Sequence, residues 1–198
     1  LPTLLASLVI VVSMMISNAV WAETVRIATG QDFRPFEFVD ENGKPAGVVI
    51  DLWRLWSKKT GIEIEFVPAV WGQTLEMMQD GRADIHAGLN ATEERRKFLD
   101  YGAPLINTNS YVFLPTGMEL SGSLDELRGF RVGVLRGSLE EYLITKNIPA
   151  AVVVPFDGID ELYDAVAQDR IRVFADVEQT ALYFLGKRNQ TKNFRHDA

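Results

Sequence analysis

Gly88–Tyr101 reads GLNATEERRKFLDY, and this stretch carries the most informative arginine of the chain. Thr92 is placed to cap a predicted helix, because its hydroxyl can accept a hydrogen bond from a free backbone N–H. Arg95 then falls in the first helical turn, where the helix dipole opposes a cation. That position is favourable if the guanidinium holds an anion, such as a carboxylate, through two parallel hydrogen bonds. A surface arginine, or one paired with Glu93 or Asp100, is the alternative that local chemistry alone favours.

The segments before this stretch alternate between strand and helix patterns. Apolar residues at helical spacing predict a helix over Val48–Thr60, and Gly61 follows where a left-handed residue often ends a helix. Trp53 and Trp56 lie on its apolar stripe and are assigned to a core or an interface. Further strands are predicted over 24–29, 62–66 and 83–89, and a second helix over 73–80. This order predicts a parallel sheet covered by helices.

After the quoted stretch the pattern pauses over 107–116 and then starts again. Ser123 can cap a short helix, and Ser138–Glu141 reads SLEE, a capping box that opens a longer one. Strands are predicted over 130–135, 151–155 and 172–175, with helices over 159–166 and over 177–185, the last closed by Gly186. Two successive strand–helix units separated by a pause predict two lobes joined by a hinge.

Composition excludes several classes of function. The 198-residue chain has a formal net charge of −7, whereas a nucleic-acid surface needs a basic face. It has no cysteine, which excludes disulfides, thiolate metal sites, cysteine nucleophiles and a cysteine-linked lipid anchor. Motifs of serine hydrolases, zinc proteases, P-loops and dinucleotide-binding folds are absent. Of the two histidines, His86 is interpreted as a packed or cleft-lining residue rather than a general base.

Residues 1–22 differ from the rest of the chain. Leu4–Ile16 is almost wholly apolar, and Val20-Trp21-Ala22 precedes Glu23 as the end of a cleavable secretory signal does. An uncleaved membrane anchor is the alternative. The chain begins with Leu1 and has no basic region before the apolar run, so the signal is interpreted as clipped at its start. The mature part is therefore expected outside the cytoplasm.

Four blocks in order resemble the family-3 periplasmic solute-binding proteins, which bind polar amino acids. GLNATEERRKFLDY matches their signature G-L-x-x-T-x-E-R-x-x-x-L-D-F/Y. The other blocks are FRPFEFVDENGKPAGVVIDLW from Phe33, VGVLRGSLEEYL from Val132 and VFADVEQTALYFL from Val173. The resemblance covers about Thr24–Leu185. IDLWRLW and DIHAGL look most like the periplasmic sensor modules of histidine kinases and diguanylate cyclases, and transporter subunits are next.

The resemblance implies an α/β, two-lobed type II periplasmic-binding-protein fold. Lobe 1 is expected over 23–110 and lobe 2 over 111–193. In this fold the chain returns to lobe 1 after lobe 2, and residues 194–198 are interpreted as the start of that return. The fold is therefore expected to be incomplete at its C-terminus.

The resemblance also implies the two charged groups of a binding site. Arg95 matches the arginine that clamps a ligand α-carboxylate, and Asp176 matches the acid that takes the α-ammonium. Burying a zwitterion is costly unless both of its charges are paired, so this pair is physically sensible. Asp176 could instead cap the helix predicted over 177–185, or do both.

The remaining implied contacts surround that pair. Phe33 and Trp71 match two aromatic residues that sandwich the ligand side chain, although Trp71 could be plain core. Further polar contacts are implied for Gly88, Asn90, Gly137 and Ser138. For Ser138, a role as a helix cap alone is nearly as well supported as a contact with the ligand. No catalytic residue, metal or cofactor is expected.

The function implied is binding by lobe closure, without catalysis. A sensory input domain of a transmembrane signalling protein is expected first, with output domains in the same chain as partners. A free binding subunit that delivers to an ABC permease is the alternative, and an enzyme like the cyclohexadienyl dehydratases is the second. The chain departs from the family at two places. The segment between Asp84 and Gly88 is one residue short, which is expected to bring His86 nearer the cleft. Leu139 stands where threonine is frequent, which removes one polar contact with the ligand.

Overall fold

The computed structural model describes residues 24–118, 120 and 123–197. The predicted signal at 1–22 lies outside the described residues. Helices span Val48–Thr60 (α1), Trp71–Asp80 (α2), Leu139–Asn147 (α3), Ile159–Ala167 (α4) and Glu178–Lys187 (α5). Strands span Val25–Gly30 (β1), Asp32–Phe33 (β2), Glu37–Val39 (β3), Pro45–Ala46 (β4), Ile64–Ala69 (β5), Ile85–His86 (β6), Ser110–Pro115 (β7), Arg131–Leu135 (β8), Val152–Phe156 (β9), Val173–Val177 (β10) and Phe194–Asp197 (β11).

Lobe 1 is built on a three-stranded parallel sheet in the order β5-β1-β6. The central strand carries Ile27 and Ala28, both fully buried, so its second half is covered on both faces rather than on one face as the alternating sequence predicts. The third strand is shorter than the 83–89 predicted, because only Ile85–His86 pairs with β1. After Ala87 the chain leaves the sheet and runs toward Arg95.

A small antiparallel sheet, β2-β3-β4, leads into α1. The helix has the predicted bounds, and Gly61 ends it in the left-handed conformation. Its first residue follows Gly47, whose φ of 118° few side chains adopt. A Cβ at Gly47 would clash with the carbonyl oxygen of Phe36.

Gly47→Ala is therefore expected to destabilise the protein by about 3 kcal/mol, from backbone strain and the clash together. Urea unfolding measures this change. Gly43→Ala is the matched control, because Gly43 also has a positive φ but no atom within 4 Å of its Cβ position. The control should lose about 1 kcal/mol. Equal losses in both variants would mean that the Gly47 backbone relaxes and that the clash is not important.

Lobe 2 is built on a five-stranded sheet in the order β11-β7-β10-β8-β9. Strands β8, β9 and β10 are parallel, whereas β7 runs antiparallel to both β10 and β11. The predicted pause over 107–116 is wrong for most of its length, since Ser110–Pro115 is an inner strand. Val112 and Leu114 pack on one face of the sheet and Phe113 on the other. Residues 194–197 form the edge strand beside β7.

Helices cover both faces of the lobe 2 sheet. One apolar core lies under α4 and α5 and includes Leu162, Tyr163 and Phe184. The other lies under α3 and includes Val134 and Ile144. This two-lobed α/β arrangement confirms the fold class expected from the sequence.

Several element boundaries differ from the predictions, and strand β5, for example, spans Ile64–Ala69 rather than 62–66. Helix α2 begins at Trp71 rather than residue 73, so the tryptophan lies in its first turn. Helix α5 continues through Gly186 to Lys187, because the glycine keeps helical geometry and Arg188 serves as the C-cap.

The lobes meet where β7 and β10 end. Val177, the last residue of β10, packs into the lobe 1 core beside Ile27, Phe36 and Ala87. The amide of Glu178 donates to the carbonyl of Asn109 at 3.0 Å. None of the helices in the described part of the chain has the length and apolar character that a membrane crossing requires.

Candidate ligand-binding cleft

Of the predicted site residues, a group joined by contacts lies where the two lobes face each other: Phe33, Trp71, Asn90, Arg95 and Gly137. The hydrogen bonds of Asp176 are instead with Tyr163 and Val177, within lobe 2. Most of the predicted residues follow the carboxyl ends of strands β1, β5, β6 and β8. Asp176 lies near the end of β10. Ligands bind at this edge in open α/β sheets. An open crevice beside them is lined by Gly30, Gln31, Asp32, Phe33, Val70 and Trp71 from lobe 1 and by Leu135, Asp157, Gly158 and Ile159 from lobe 2.

Arg95 is 6 % exposed, so it is not the surface arginine that local chemistry favoured. Its guanidinium donates to the carbonyl oxygens of Asn90 (2.7 Å) and Gly137 (2.6 Å). No carboxylate of the described residues lies within 4.0 Å of it, and Glu93 contacts Lys146 instead. Burial lowers the pKa of Arg95. The buried positive charge therefore contacts only neutral acceptors.

The local structure around Arg95 differs from the helix predicted. Arg95–Lys97 forms a single 3₁₀ turn, so the argument from a helix dipole does not apply to it. Thr92 still acts as expected, because its hydroxyl accepts the N–H of Arg95 at 3.2 Å. The turn directs the guanidinium back toward Asn90 and across to lobe 2.

Gly137 connects the two lobes through its carbonyl group. Besides Arg95, the indole nitrogen of Trp71 donates to that oxygen at 3.1 Å. The amide of Gly137 donates to the carboxylate of Glu141, and the hydroxyl of Ser138 accepts the amide of Glu141 at 3.1 Å. Half of the predicted capping box is thus formed, because the carboxylate of Glu141 accepts from Gly137 rather than from the N-cap Ser138. The N–H of Gly137, a residue predicted to make a polar contact with the ligand, is therefore bonded to Glu141.

Phe33 and Trp71 lie on the lobe 1 side of the crevice. Their ring centroids are 5.9 Å apart at an interplanar angle of 45°. A planar group between two rings needs about 7 Å, which is two van der Waals contacts of about 3.5 Å each. The rings therefore contact each other in this conformation, and they must separate before they can sandwich a side chain.

His86 lies behind Trp71, with the two rings edge to face at 5.3 Å. Its Nε2 is 3.0 Å from the hydroxyl of Thr74, and its Nδ1 accepts the amide of Gly88 at 3.3 Å. Burial, and then the positive charge of Arg95, lowers the pKa of His86 to about 3. The imidazole is neutral at physiological pH and orders the segment that leads to Asn90.

Asp176 is 5 % exposed and lies in lobe 2. The hydroxyl of Tyr163 donates to its Oδ2 at 2.6 Å, and the amide of Val177 donates to its Oδ1 at 2.7 Å. Burial, and then the charge of Glu140, raises the pKa of Asp176 to about 8. The capping alternative is wrong, since α5 has Val177 as its N-cap and no side-chain cap bond.

Two buried carboxylic acids were missed by the sequence reasoning. Glu140 is buried next to Ser110, although its place in a capping box suggests an exposed first-turn acid. Glu37 is 1 % exposed, and burial raises its pKa to about 8. The only signal for Glu37 was its position in the apolar run Phe36–Val39. Within the described residues, His, Asp and Glu side chains form no group of three that could hold a metal ion.

Comparison with known proteins identifies a consistent set of relatives. The profile of the bacterial extracellular solute-binding proteins, family 3, matches residues 25–192. A probable histidine-binding protein of Neisseria gonorrhoeae is 30 % identical over 122 residues, which are 61 % of this chain and 46 % of the relative. The chain spans about half to two-thirds of the length of the curated relatives that it matches.

Solved structures agree with this set. An ancestral arginine-binding protein bound to arginine has a TM-score of 0.77 and 31 % identity, over 87 % of this chain and 77 % of that one. A histidine kinase sensor domain with similarity to periplasmic binding proteins has a TM-score of 0.79 and 24 % identity, over 89 % and 77 %. At 24 % identity, the similarity to the sensor domain shows only that the two share a fold.

Proposed function

The chain belongs to the bacterial extracellular solute-binding proteins, family 3, and we propose that it binds one free amino acid between its lobes. The observation that carries the proposal is a pair of buried ionisable groups, the guanidinium of Arg95 from lobe 1 and the carboxyl group of Asp176 from lobe 2. Neither has an ion-pair partner within 4.0 Å among the described residues. An α-amino acid carries a carboxylate and an ammonium on one carbon, so a single ligand pairs with Arg95 and with the ionised form of Asp176.

The neighbouring groups support the same ligand. The guanidinium now donates to Gly137, which lies in the opposite lobe, and a carboxylate is a stronger acceptor than that carbonyl. Phe33 and Trp71 provide apolar faces for a side chain once they separate. Among the relatives, names such as histidine-binding and arginine-binding protein are consistent with an amino acid as ligand.

Binding without turnover is proposed, because the curated relatives are named as binding proteins. His86 is neutral and hydrogen-bonded on both ring nitrogens. A dehydratase-like activity stays the second alternative. Turnover of prephenate or arogenate would support it.

The place of the binding module in the cell is also a proposal. We place it outside the cytoplasm, consistent with the periplasmic relatives, as the input domain of a transmembrane signalling protein. Delivery to an ABC permease is the alternative. Sequencing of the full-length gene distinguishes the two, because a sensor would carry a membrane span after the binding module and a free subunit would not. We also propose that lobe 1 ends near residue 110 and that the chain begins its return to lobe 1 at residue 194. Residues 1–22 are proposed to be a secretory signal.

Calorimetric titration of the protein with the standard amino acids tests the proposed ligand. At least one amino acid is expected to bind with 1:1 stoichiometry and a Kd in the micromolar range or tighter. A micromolar Kd corresponds to a binding free energy of about −8 kcal/mol. Two derivatives of that amino acid are the controls. Its methyl ester lacks the anion for Arg95, and its N-acetyl form lacks the cation for Asp176, so each should bind at least about a hundredfold more weakly. No binding by any amino acid at millimolar concentration would contradict the proposal.

A further inference from the structure

Trp71 makes a hydrogen bond across the cleft that its predicted role as an aromatic wall does not use. Its indole nitrogen belongs to lobe 1 and donates to the carbonyl oxygen of Gly137 in lobe 2 at 3.1 Å. Arg95 donates to the same oxygen at 2.6 Å. A carbonyl oxygen has two lone pairs, so it can accept both bonds at once. Two side chains of lobe 1 therefore hold one atom of lobe 2.

The indole of Trp71 is oriented by contacts within lobe 1. The ring of His86 packs against it edge to face, with 5.3 Å between the ring centroids. The hydroxyl of Thr74 donates to the carbonyl oxygen of Trp71 at 2.7 Å and lies 3.0 Å from Nε2 of His86. Because these groups all belong to one lobe, they direct the indole N–H independently of lobe 2.

The loop that carries Gly137 is ordered within lobe 2. The amide of Ser138 donates to the carbonyl of Leu135, the last residue of β8, at 3.1 Å. Gly137 has a φ of 73°, and a Cβ there would lie only 3.4 Å from the side chain of Leu75 in α2. The absence of a side chain at Gly137 thus allows a close approach to lobe 1. A hydrogen bond between two groups that are already ordered loses little conformational entropy when it forms.

The proposed ligand would engage only one of the two donors through hydrogen bonds. Its carboxylate pairs with Arg95, because a carboxylate is a stronger acceptor than the Gly137 carbonyl. Trp71 offers the ligand a ring face, whereas its N–H points to Gly137. The hydrogen bond between Trp71 and Gly137 can therefore persist when an amino acid is bound.

We propose that Trp71 is a latch for the closed cleft, in which the indole N–H holds the Gly137 carbonyl and slows the reopening that releases the ligand. The inference rests on the proposed function, because it needs a ligand that binds between the lobes. It assigns Trp71 a role in the lifetime of the complex, and an aromatic ring without an N–H could not take that role.

The test replaces Trp71 by benzothienylalanine, a tryptophan isostere in which sulfur takes the place of the N–H. The ring keeps its shape, so its contacts with the ligand and with His86 should be retained, and a thermal melt checks the fold. Dissociation of the tightest-binding standard amino acid should become about fivefold faster, with less than about a twofold change in the association rate. Stopped-flow mixing measures both rates. Trp71→Phe, which removes the same N–H with part of the ring, should dissociate at least as fast.

A second measurement follows the lobes themselves. The chain has no cysteine, so Lys59→Cys in lobe 1 and Ala167→Cys in lobe 2 provide two labelling sites, both at exposed positions. Single-molecule energy transfer between the labels measures the fraction of molecules with open lobes at a saturating concentration of the same amino acid. This fraction should be larger with benzothienylalanine at position 71 than in the wild type.

Trp53→Phe is the matched control, because the indole nitrogen of Trp53 donates to the carbonyl of Ala87 within lobe 1 at 2.7 Å. It removes a hydrogen bond of the same kind that does not cross the cleft. The variant should therefore keep the dissociation rate and the open fraction of the wild type.

Unchanged dissociation from both Trp71 variants would overturn the inference while leaving the proposed function intact. Faster dissociation without a larger open fraction would overturn it too, because the loss would then lie in direct contact with the amino acid. If no amino acid binds the wild-type protein at millimolar concentration, the proposed function itself fails, and the latch fails with it.

Discussion

Arg95→Ala is expected to weaken binding of the best amino-acid ligand by at least about a hundredfold, or ~2.7 kcal/mol. The guanidinium is buried and has no carboxylate partner in the described part of the chain, so the ligand carboxylate would be its only anion. Removing it leaves that carboxylate desolvated and unpaired. Calorimetric titration of the variant measures the loss.

Two further variants separate the role of Arg95 from general effects. Arg96→Ala removes the same charge from the adjacent, exposed position and should bind normally. Arg95→Lys keeps the charge but loses the two-pronged geometry, so its affinity should fall between wild type and alanine. An Arg95→Ala variant that folds and binds with unchanged affinity would show that the carboxylate lies elsewhere.

Ligand affinity is expected to rise about tenfold per pH unit up to pH 8 and to level off above it. The pKa of Asp176 in the ligand-free protein is raised to about 8, so below that pH the carboxyl group holds a proton. The ligand ammonium binds the ionised carboxylate of Asp176, so the carboxyl group must lose its proton before the two can pair. Binding therefore costs more as the pH falls, and it releases a proton. Titrations at pH 6, 7 and 8 measure the slope.

Asp176→Asn should remove this pH dependence and weaken binding at pH 8 by about a hundredfold. Asp157→Asn is the control, because Asp157 also lines the crevice but is exposed and paired with Arg136. Its affinity should follow the wild-type slope. Affinity that does not change between pH 6 and pH 8 in the wild type would contradict the role given to Asp176.

The parts of the fold that could be predicted are those with local causes. The helix over Val48–Thr60 has the predicted bounds, since its apolar stripe and Gly61 lie within one segment. The strand Ser110–Pro115 was predicted as part of a pause because its partners, β10 and β11, are distant in sequence. Asparagines before it and Pro115 at its end give a loop signal, and pairing with distant strands overrides that signal.

The same division holds for the candidate site. The family motif predicts a ligand clamp at Arg95, and the block around Asp176 predicts the acid. The structure shows that both residues are buried, and their roles stay predictions. The motif did not reveal Glu140, because its burial depends on contact with Ser110, 30 residues away. The acceptor role of the Gly137 carbonyl was missed for the same reason. It depends on how lobe 1 faces lobe 2.

A crystal structure of the protein with its tightest-binding amino acid tests the central claim most directly. The ligand carboxylate should accept hydrogen bonds from Arg95, and its ammonium should lie within about 3 Å of Asp176. Phe33 and Trp71 should separate from 5.9 Å to about 7 Å between ring centroids, with the ligand side chain between them. A ligand held in the crevice without contact to Arg95 and Asp176 would contradict the account.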